Sequence, residues 1–197
     1  MAFAARRSEV VGAETDLSRG AQAHASVALV VRPAASDLEL LVIQRATRDG
    51  DPWSGHMALP GGRRSPADLS GRETAERETW EEVGIDLSGQ GQLIGRLNDV
   101  RPRSGAPAIV VSPYAFAVPM RTSTTLNHEI AAAMWIPLRT LAAPGAATEY
   151  LHPVASGGEI RFPAIAYESR VIWGLTHRIM SEFLDVVRKA ITDEEAD

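Results

Sequence analysis

A short, sharply bounded helix constrains this chain more than any other feature. Ser70-Gly71-Arg72-Glu73 has the S-x-x-E spacing of a capping box, in which hydroxyl and carboxylate satisfy orphan N–H groups of the first turn. Gly84 is a natural stop, because glycine enters the left-handed conformation without steric cost. Between them the spacing predicts about three and a half turns. Ala75, Thr79 and Val83 form a stripe of small to medium side chains suited to packing on a sheet. Candidate strands surround this helix. Residues 26–31 read as a buried strand, 32–37 as a turn and 38–43 as the partner strand. Strand-like runs recur at 92–97, 108–118 and 133–138, with more around 149–154 and 159–165. A long amphipathic helix is expected over 169–191, where Ile172, Leu175, Ile179, Phe183 and Val187 recur at spacings of three and four. The fold class expected is α/β (α+β), a mixed β-sheet flanked by α-helices.

The chain has 197 residues, of which 45% are apolar, enough for one domain with a proper core. The expected division is a polar, Ala-rich arm over 1–23, a single domain over 24–191 and an acidic, frayed tail over 192–197. Lys and Arg total 20 against 25 Asp and Glu, a net charge of −5, which argues against nucleic acid and anionic membrane as partners. With no cysteine, disulfides, thiolate metal sites and thiol nucleophiles are excluded. Glu9, Glu14 and Asp16 interrupt any signal-like apolar run, and no stretch approaches the roughly 20 apolar residues that span a bilayer. The localisation expected is cytoplasmic.

The chemistry lies between Leu59 and Ile85. Glu78, Glu81 and Glu82 stand at i, i+3 and i+4, so all three emerge within about 100° of helix surface, while Glu73 and Glu76 point elsewhere. Three clustered carboxylates repel one another and give a helix nothing structural. A hard divalent cation such as Mg²⁺ or Mn²⁺ reverses that sign, since it prefers oxygen ligands. A bare E-x-x-E-E is more simply a solvated acidic face; its neighbours decide.

Those neighbours resemble a known signature. Gly62, Asp68, Arg77-Glu78-Thr79, Glu81-Glu82, Gly84 and Ile85 follow the Nudix box, G-x5-E-x7-R-E-U-x-E-E-x-G-U. Asp68 stands where the family has Glu, one extra residue separates it from Arg77, and Thr79 replaces an aliphatic residue. The resemblance implies the Nudix fold, a mixed sheet sandwiched between helices. It also implies metal-dependent hydrolysis of a phosphoanhydride in a nucleoside diphosphate linked to another moiety. Carried over by position, Glu78, Glu81, Glu82 and the Gly61 carbonyl are the expected metal ligands, and Asp68 is a peripheral carboxylate. Arg77 is expected to orient the first metal glutamate, against the simpler reading of a surface ion pair with Glu73. Gly61 and Gly62 are expected to let the backbone approach metal and phosphate closely.

Further residues resemble the branch of the family that cleaves coenzyme A and its derivatives. These are Leu41-Val42-Ile43-Gln44-Arg45-Ala46, Gly55, Leu59-Pro60-Gly61-Gly62, Asp68-Leu69-Ser70, Thr74-Ala75-Glu76-Arg77-Glu78 and Ile172-Trp173-Gly174-Leu175-Thr176. Ile43, Ala46, Leu59 and the Trp53-Ser54-Gly55-His56 run depart from that pattern, which leaves ADP-ribose and dinucleoside polyphosphates open as substrates.

Arg45, Arg101 and Arg103 are candidate phosphate contacts, each weighed against a solvated or ion-paired arginine. Trp53 could stack on a base, although loop tryptophans more often pack on their own scaffold. His56 is weighed as a phosphate donor against a structural hydrogen-bonding residue, the latter favoured, and Trp135 and Trp173 are read as core. For the general base, Glu129 and Glu81 are equal contenders. The partner expected is a small nucleoside diphosphate derivative, and the family resemblance admits a homodimer. Two other classes stay open: a Nudix-fold module that senses a nucleotide without cleaving it, and an interaction protein with an incidental acidic helix.

Overall fold

The strand expected at residue 26 starts earlier and runs longer. β1 covers Ala23–Pro33 and is followed by β2, Leu38–Arg45. The computed structural model describes residues 23–51, 53–102, 109–154 and 157–195. The expected N-terminal arm, apart from its last residue, lies outside them. β1 pairs antiparallel with β2 only near its end, Val31 opposite Leu40, so the two strands diverge toward their other ends. Into that divergence fits β4 (Gly61–Arg63), antiparallel to the start of β1 with Val27 opposite Gly61. On the far side β1 runs parallel to β6 (Ile109–Ala117), and β5 (Gln92–Arg96) closes that edge. β2 carries β3 (Met57–Ala58) and β7 (Ile130–Pro137). Among the described residues these strands form a seven-stranded mixed sheet.

α1 occupies Gly71–Val83, as the caps predict: the Ser70 hydroxyl accepts from the N–H of Glu73, and Gly84 sits in the left-handed conformation at φ 69°. Two short helices, α2 (Leu87–Gln90) and α3 (Leu138–Leu141), follow α1 and β7 respectively. A second, three-stranded antiparallel sheet of β8 (Ala147–Pro153), β9 (Glu159–Tyr167) and β10 (Arg170–Trp173) precedes α4, Gly174–Glu195. The terminal helix therefore starts later than residue 169. The β-branched pair Val171-Ile172 extends a strand, and Gly174 at φ 67° turns the chain into the helix. Its far end continues to Glu195, through most of the tail expected to be frayed.

Alternation along β1 builds both layers of core. Ala28 and Val30 point toward α1, packing with Leu41, Ile43, Ala75, Val83 and Phe116. Leu29 and Val31 point the other way, with Leu40, Val42, Ile136, Ile172, Ile179 and Phe183. The sheet is thus sandwiched between α1 and α4, as expected. Among the described residues no helix is long and apolar enough to cross a membrane.

Candidate active site

The Gly61–Gly62 strand lies between β1 and the carboxylate face of α1, and that adjacency creates the site. Glu82 is only 3% exposed, and its Oε2 accepts the Gly61 N–H at 2.9 Å. Burial pushes this carboxyl up to about 8; the Gly61 N–H opposes the rise, while the charge of Glu78 adds to it. The Glu78 carboxyl rests against Gly62, where a Cβ would overlap it. Burial also raises Glu78, partly offset by Arg77. A Cβ on Gly61 would strike the backbone of Ser26 and Val27, so Gly61 is required by close approach, whereas a Cβ on Gly62 would displace the Glu78 carboxyl.

Arg77 gathers the remaining carboxylates. Its Nε and Nη2 donate to the two oxygens of Asp68, each at 3.0 Å. Nη1 reaches Glu81 at 3.0 Å and Nη2 lies 2.9 Å from Glu78. The ion pair with Glu73 does not form: Glu73 instead accepts the N–H of Leu69, completing the cap. Asp68, expected as a peripheral carboxylate, is buried and accepts from Thr74 Oγ1 and the Ser65 N–H as well. The Arg77 guanidinium holds it down to about 2. Asp68 therefore anchors Arg77, and Arg77 sets Glu78. Thr79, which stands where the family pattern has an aliphatic residue, is fully buried and satisfies its hydroxyl on the Ala75 carbonyl at 2.7 Å.

Glu78, Glu82 and the Gly61–Gly62 backbone are thus brought together, whereas Glu81 is 51% exposed and shares the Arg77 guanidinium with Glu78. Among the described residues, no three carboxylate or imidazole side chains already surround one point. The donors nevertheless fit a hard cation. All are oxygens, and the buried Glu82 carboxylate has one N–H with which to offset its charge.

The outer candidates divide. Arg45 pairs with Asp51 at 2.8 Å; its Nε is buried without a hydrogen-bond partner, and its charge reaches Glu82. Glu129 also acts on Glu82 electrostatically and pairs with Arg48 at 3.0 Å. Trp53 is 54% exposed on the loop before β3. Arg101 is exposed, its carbonyl taken by Arg178 at 2.7 Å, and Arg103 lies outside the described residues.

Of the two tryptophans expected in the core, only the second is corrected. Trp135 is partly buried but packs against the core layer that faces α1, with the Arg32 guanidinium 4.1 Å from its ring centre. Trp173, also partly buried, centres a ring cluster: Tyr150 stacks on it at 4.1 Å, with His56, His152 and Phe162 around it. His56 is held there by ring packing, and burial pushes its imidazole below the usual value. Sequence reasoning missed Arg48, whose partner is 81 residues away, and the Ser65 and Thr74 donors to Asp68. Thr74 had a local signal, lying on the buried stripe one residue before Ala75.

A family model described as NUDIX domain matches residues 22–155. An uncharacterised Nudix hydrolase of Yersinia enterocolitica, NudL, is 32% identical over 161 residues, covering 80% of this chain and 77% of the relative. NudL of Photorhabdus laumondii is 30% identical over 166 residues, covering 84% and 85%. An uncharacterised protein of Schizosaccharomyces pombe is 44% identical over 117 residues, 57% of this chain, and the match spans only 36% of that relative's length. Among solved structures, a MutT/nudix family protein from Enterococcus faecalis superposes with a TM-score of 0.54 at 16% identity, covering 86% of this chain and 63% of that one.

Proposed function

The chain belongs to the Nudix family, and we propose that it is a pyrophosphohydrolase whose substrate is coenzyme A or a derivative, cleaved to 3′,5′-ADP and 4′-phosphopantetheine. The observation that carries the hydrolytic reading is the approach of Glu78 and the buried Glu82 to Gly61–Gly62, with Arg77 fixed by Asp68 behind them. The coenzyme A reading is supported by Asp68-Leu69-Ser70 and Thr74-Ala75-Glu76-Arg77-Glu78, which match that branch of the family together with its one-residue expansion.

Glu78, Glu82, the Gly61 carbonyl and Glu81, once released from Arg77, would hold Mg²⁺ or Mn²⁺. The cation supplies Lewis acidity to the diphosphate oxygens. Arg77 keeps Glu78 in place, a supporting contact of the kind that tunes a metal ligand. Arg45, near Glu82, and the loop bearing Arg101 and Arg103 offer positive charge to the anionic substrate. Trp53 offers an exposed ring to a base. Glu129, whose charge reaches Glu82, accepts the proton of the attacking water, with Glu81 the alternative base; each pairs with an arginine at 3.0 Å, Glu129 with Arg48 and Glu81 with Arg77.

Mass-spectrometric product analysis tests this reading. Purified protein with Mg²⁺ or Mn²⁺ receives coenzyme A, ADP-ribose, NADH, diadenosine polyphosphates and nucleoside triphosphates in separate reactions. The expected result is 3′,5′-ADP and 4′-phosphopantetheine from coenzyme A, faster than any other product. Preferential turnover of another compound would overturn the coenzyme A assignment, and turnover of none would overturn the hydrolytic one in favour of a sensing module.

A further inference from the structure

We propose that Arg48 is a positioning residue for hydrolysis, holding one oxygen of Glu129 so that the other is presented to the attacking water; this rests on the reading of Glu129 as the base. The backbone around Glu129 is fixed to the carboxylate helix. The N–H of Thr125 donates to the Val83 carbonyl at 2.8 Å, and that of Asn127 to the Glu82 carbonyl at 3.1 Å. From the other side, the Ala46 N–H donates to the Glu129 carbonyl at 2.7 Å. The β2–β7 register shifts between Gln44 and Arg45, opposite Ile130, and such a bulge re-aims the side chains beside it. Glu129 therefore stands at a set place relative to Glu82 before its side chain is considered.

The side chain has one partner among the described residues. Arg48 Nη1 donates to Glu129 Oε1 at 3.0 Å, leaving Oε2 open. Arg48 is itself anchored, its N–H donating to Ser54 Oγ at 2.7 Å. The pair is 41% and 43% exposed, so it contributes little to folding, and its removal can be read in catalysis instead. In the step assigned to Glu129, Oε2 takes a proton from water as the water oxygen bonds to phosphorus. The bridging P–O bond breaks, and its electron pair leaves with the departing phosphate. A carboxylate rotating freely would meet that geometry only part of the time.

The test is steady-state kinetics of wild type, Arg48→Ala, Arg48→Lys, Glu129→Gln and the double variant Arg48→Ala/Glu129→Gln, on whichever substrate the wild type turns over best. Glu129→Gln should lower kcat about 100-fold. Arg48→Ala should lower kcat roughly 10-fold with KM changed less than about 3-fold, and Arg48→Lys should recover part of that loss. In the Glu129→Gln background, Arg48→Ala should cost nothing more, because its effect runs through the missing carboxylate. A raised KM with unchanged kcat in Arg48→Ala, or a full 10-fold loss in the Glu129→Gln background, would overturn the positioning role and leave Glu129 as base. A wild-type kcat in Glu129→Gln would overturn the base assignment itself.

Discussion

Replacing Glu82 by Gln should destroy turnover and yet stabilise the metal-free protein at alkaline pH. Gln keeps the size of the side chain and an oxygen to accept the Gly61 N–H, so packing is little disturbed. The difference lies in charge. Burial raises the folded-state carboxyl from its usual 4.5 to about 8, so between those values the native state retains a proton that the unfolded chain has lost. Stability conferred by the protonated form is thus complete below about 4.5 and is lost as pH rises through 8. At roughly 1.4 kcal/mol per pH unit the whole displacement corresponds to at most about 5 kcal/mol. Urea unfolding in chelator at pH 5 and pH 9, for both proteins, reads the contribution of this group together with its coupling to Glu78. Glu82→Gln should be close to wild type at pH 5 and more stable by several kcal/mol at pH 9. Adding Mg²⁺ at pH 9 should narrow the gap by binding native wild type. A wild-type minus variant difference that is the same at both pH values would refute the argument that Glu82 is a buried carboxyl short of counter-charge.

Three further outcomes follow from the same geometry. Asp68→Asn removes the charge that Arg77 grips with two hydrogen bonds, and should cost roughly 2–4 kcal/mol at pH 7 by urea unfolding. Because Asp68 is held down to about 2, its contribution is present above its usual 3.8 and is lost as pH falls from there through 2, so the variant and wild type should converge in acid. Gly62→Ala drives a methyl into the Glu78 carboxyl and should lower kcat at least about tenfold in the product assay while the far-ultraviolet circular dichroism is retained. Thr79→Val exchanges a hydroxyl bonded only within its own helix for a methyl, and its thermal midpoint should correspond to a change within about 1 kcal/mol.

What the sequence made legible was what neighbours in the chain decide. Ser70 and Gly84 bound α1 because capping acts over three or four residues, and the i, i+3, i+4 spacing placed the glutamates on one face. The helix spacing alone could not say that Glu78 and Glu82 turn toward Gly61–Gly62 while Glu81 leans on Arg77. β3 and β4 carried no side-chain pattern to announce them, since strands of two and three residues, one of them Gly-Gly-Arg, exist through main-chain pairing. Ile172 mimicked the first turn of α4 because it is buried beside that helix's apolar face, although it belongs to β10. Trp173 was read as core from its apolar run, yet its environment comes from Tyr150, His152 and Phe162 across the small sheet. Arg48 and Glu129 meet only after β7 has paired with β2, which no local signal encodes.

Turnover by wild type and Glu82→Gln across one Mg²⁺ titration settles whether the buried carboxylate beside Gly61 drives the chemistry. Wild type should be inactive in chelator and rise with Mg²⁺ to a plateau. The variant should stay at least about 100-fold lower at every concentration, a loss of about 2.7 kcal/mol or more of transition-state stabilisation, with its fold intact. A variant that reaches the wild-type plateau, or a wild type equally active in chelator, would contradict the metal-dependent mechanism built on Glu78, Glu82 and the Gly61–Gly62 turn.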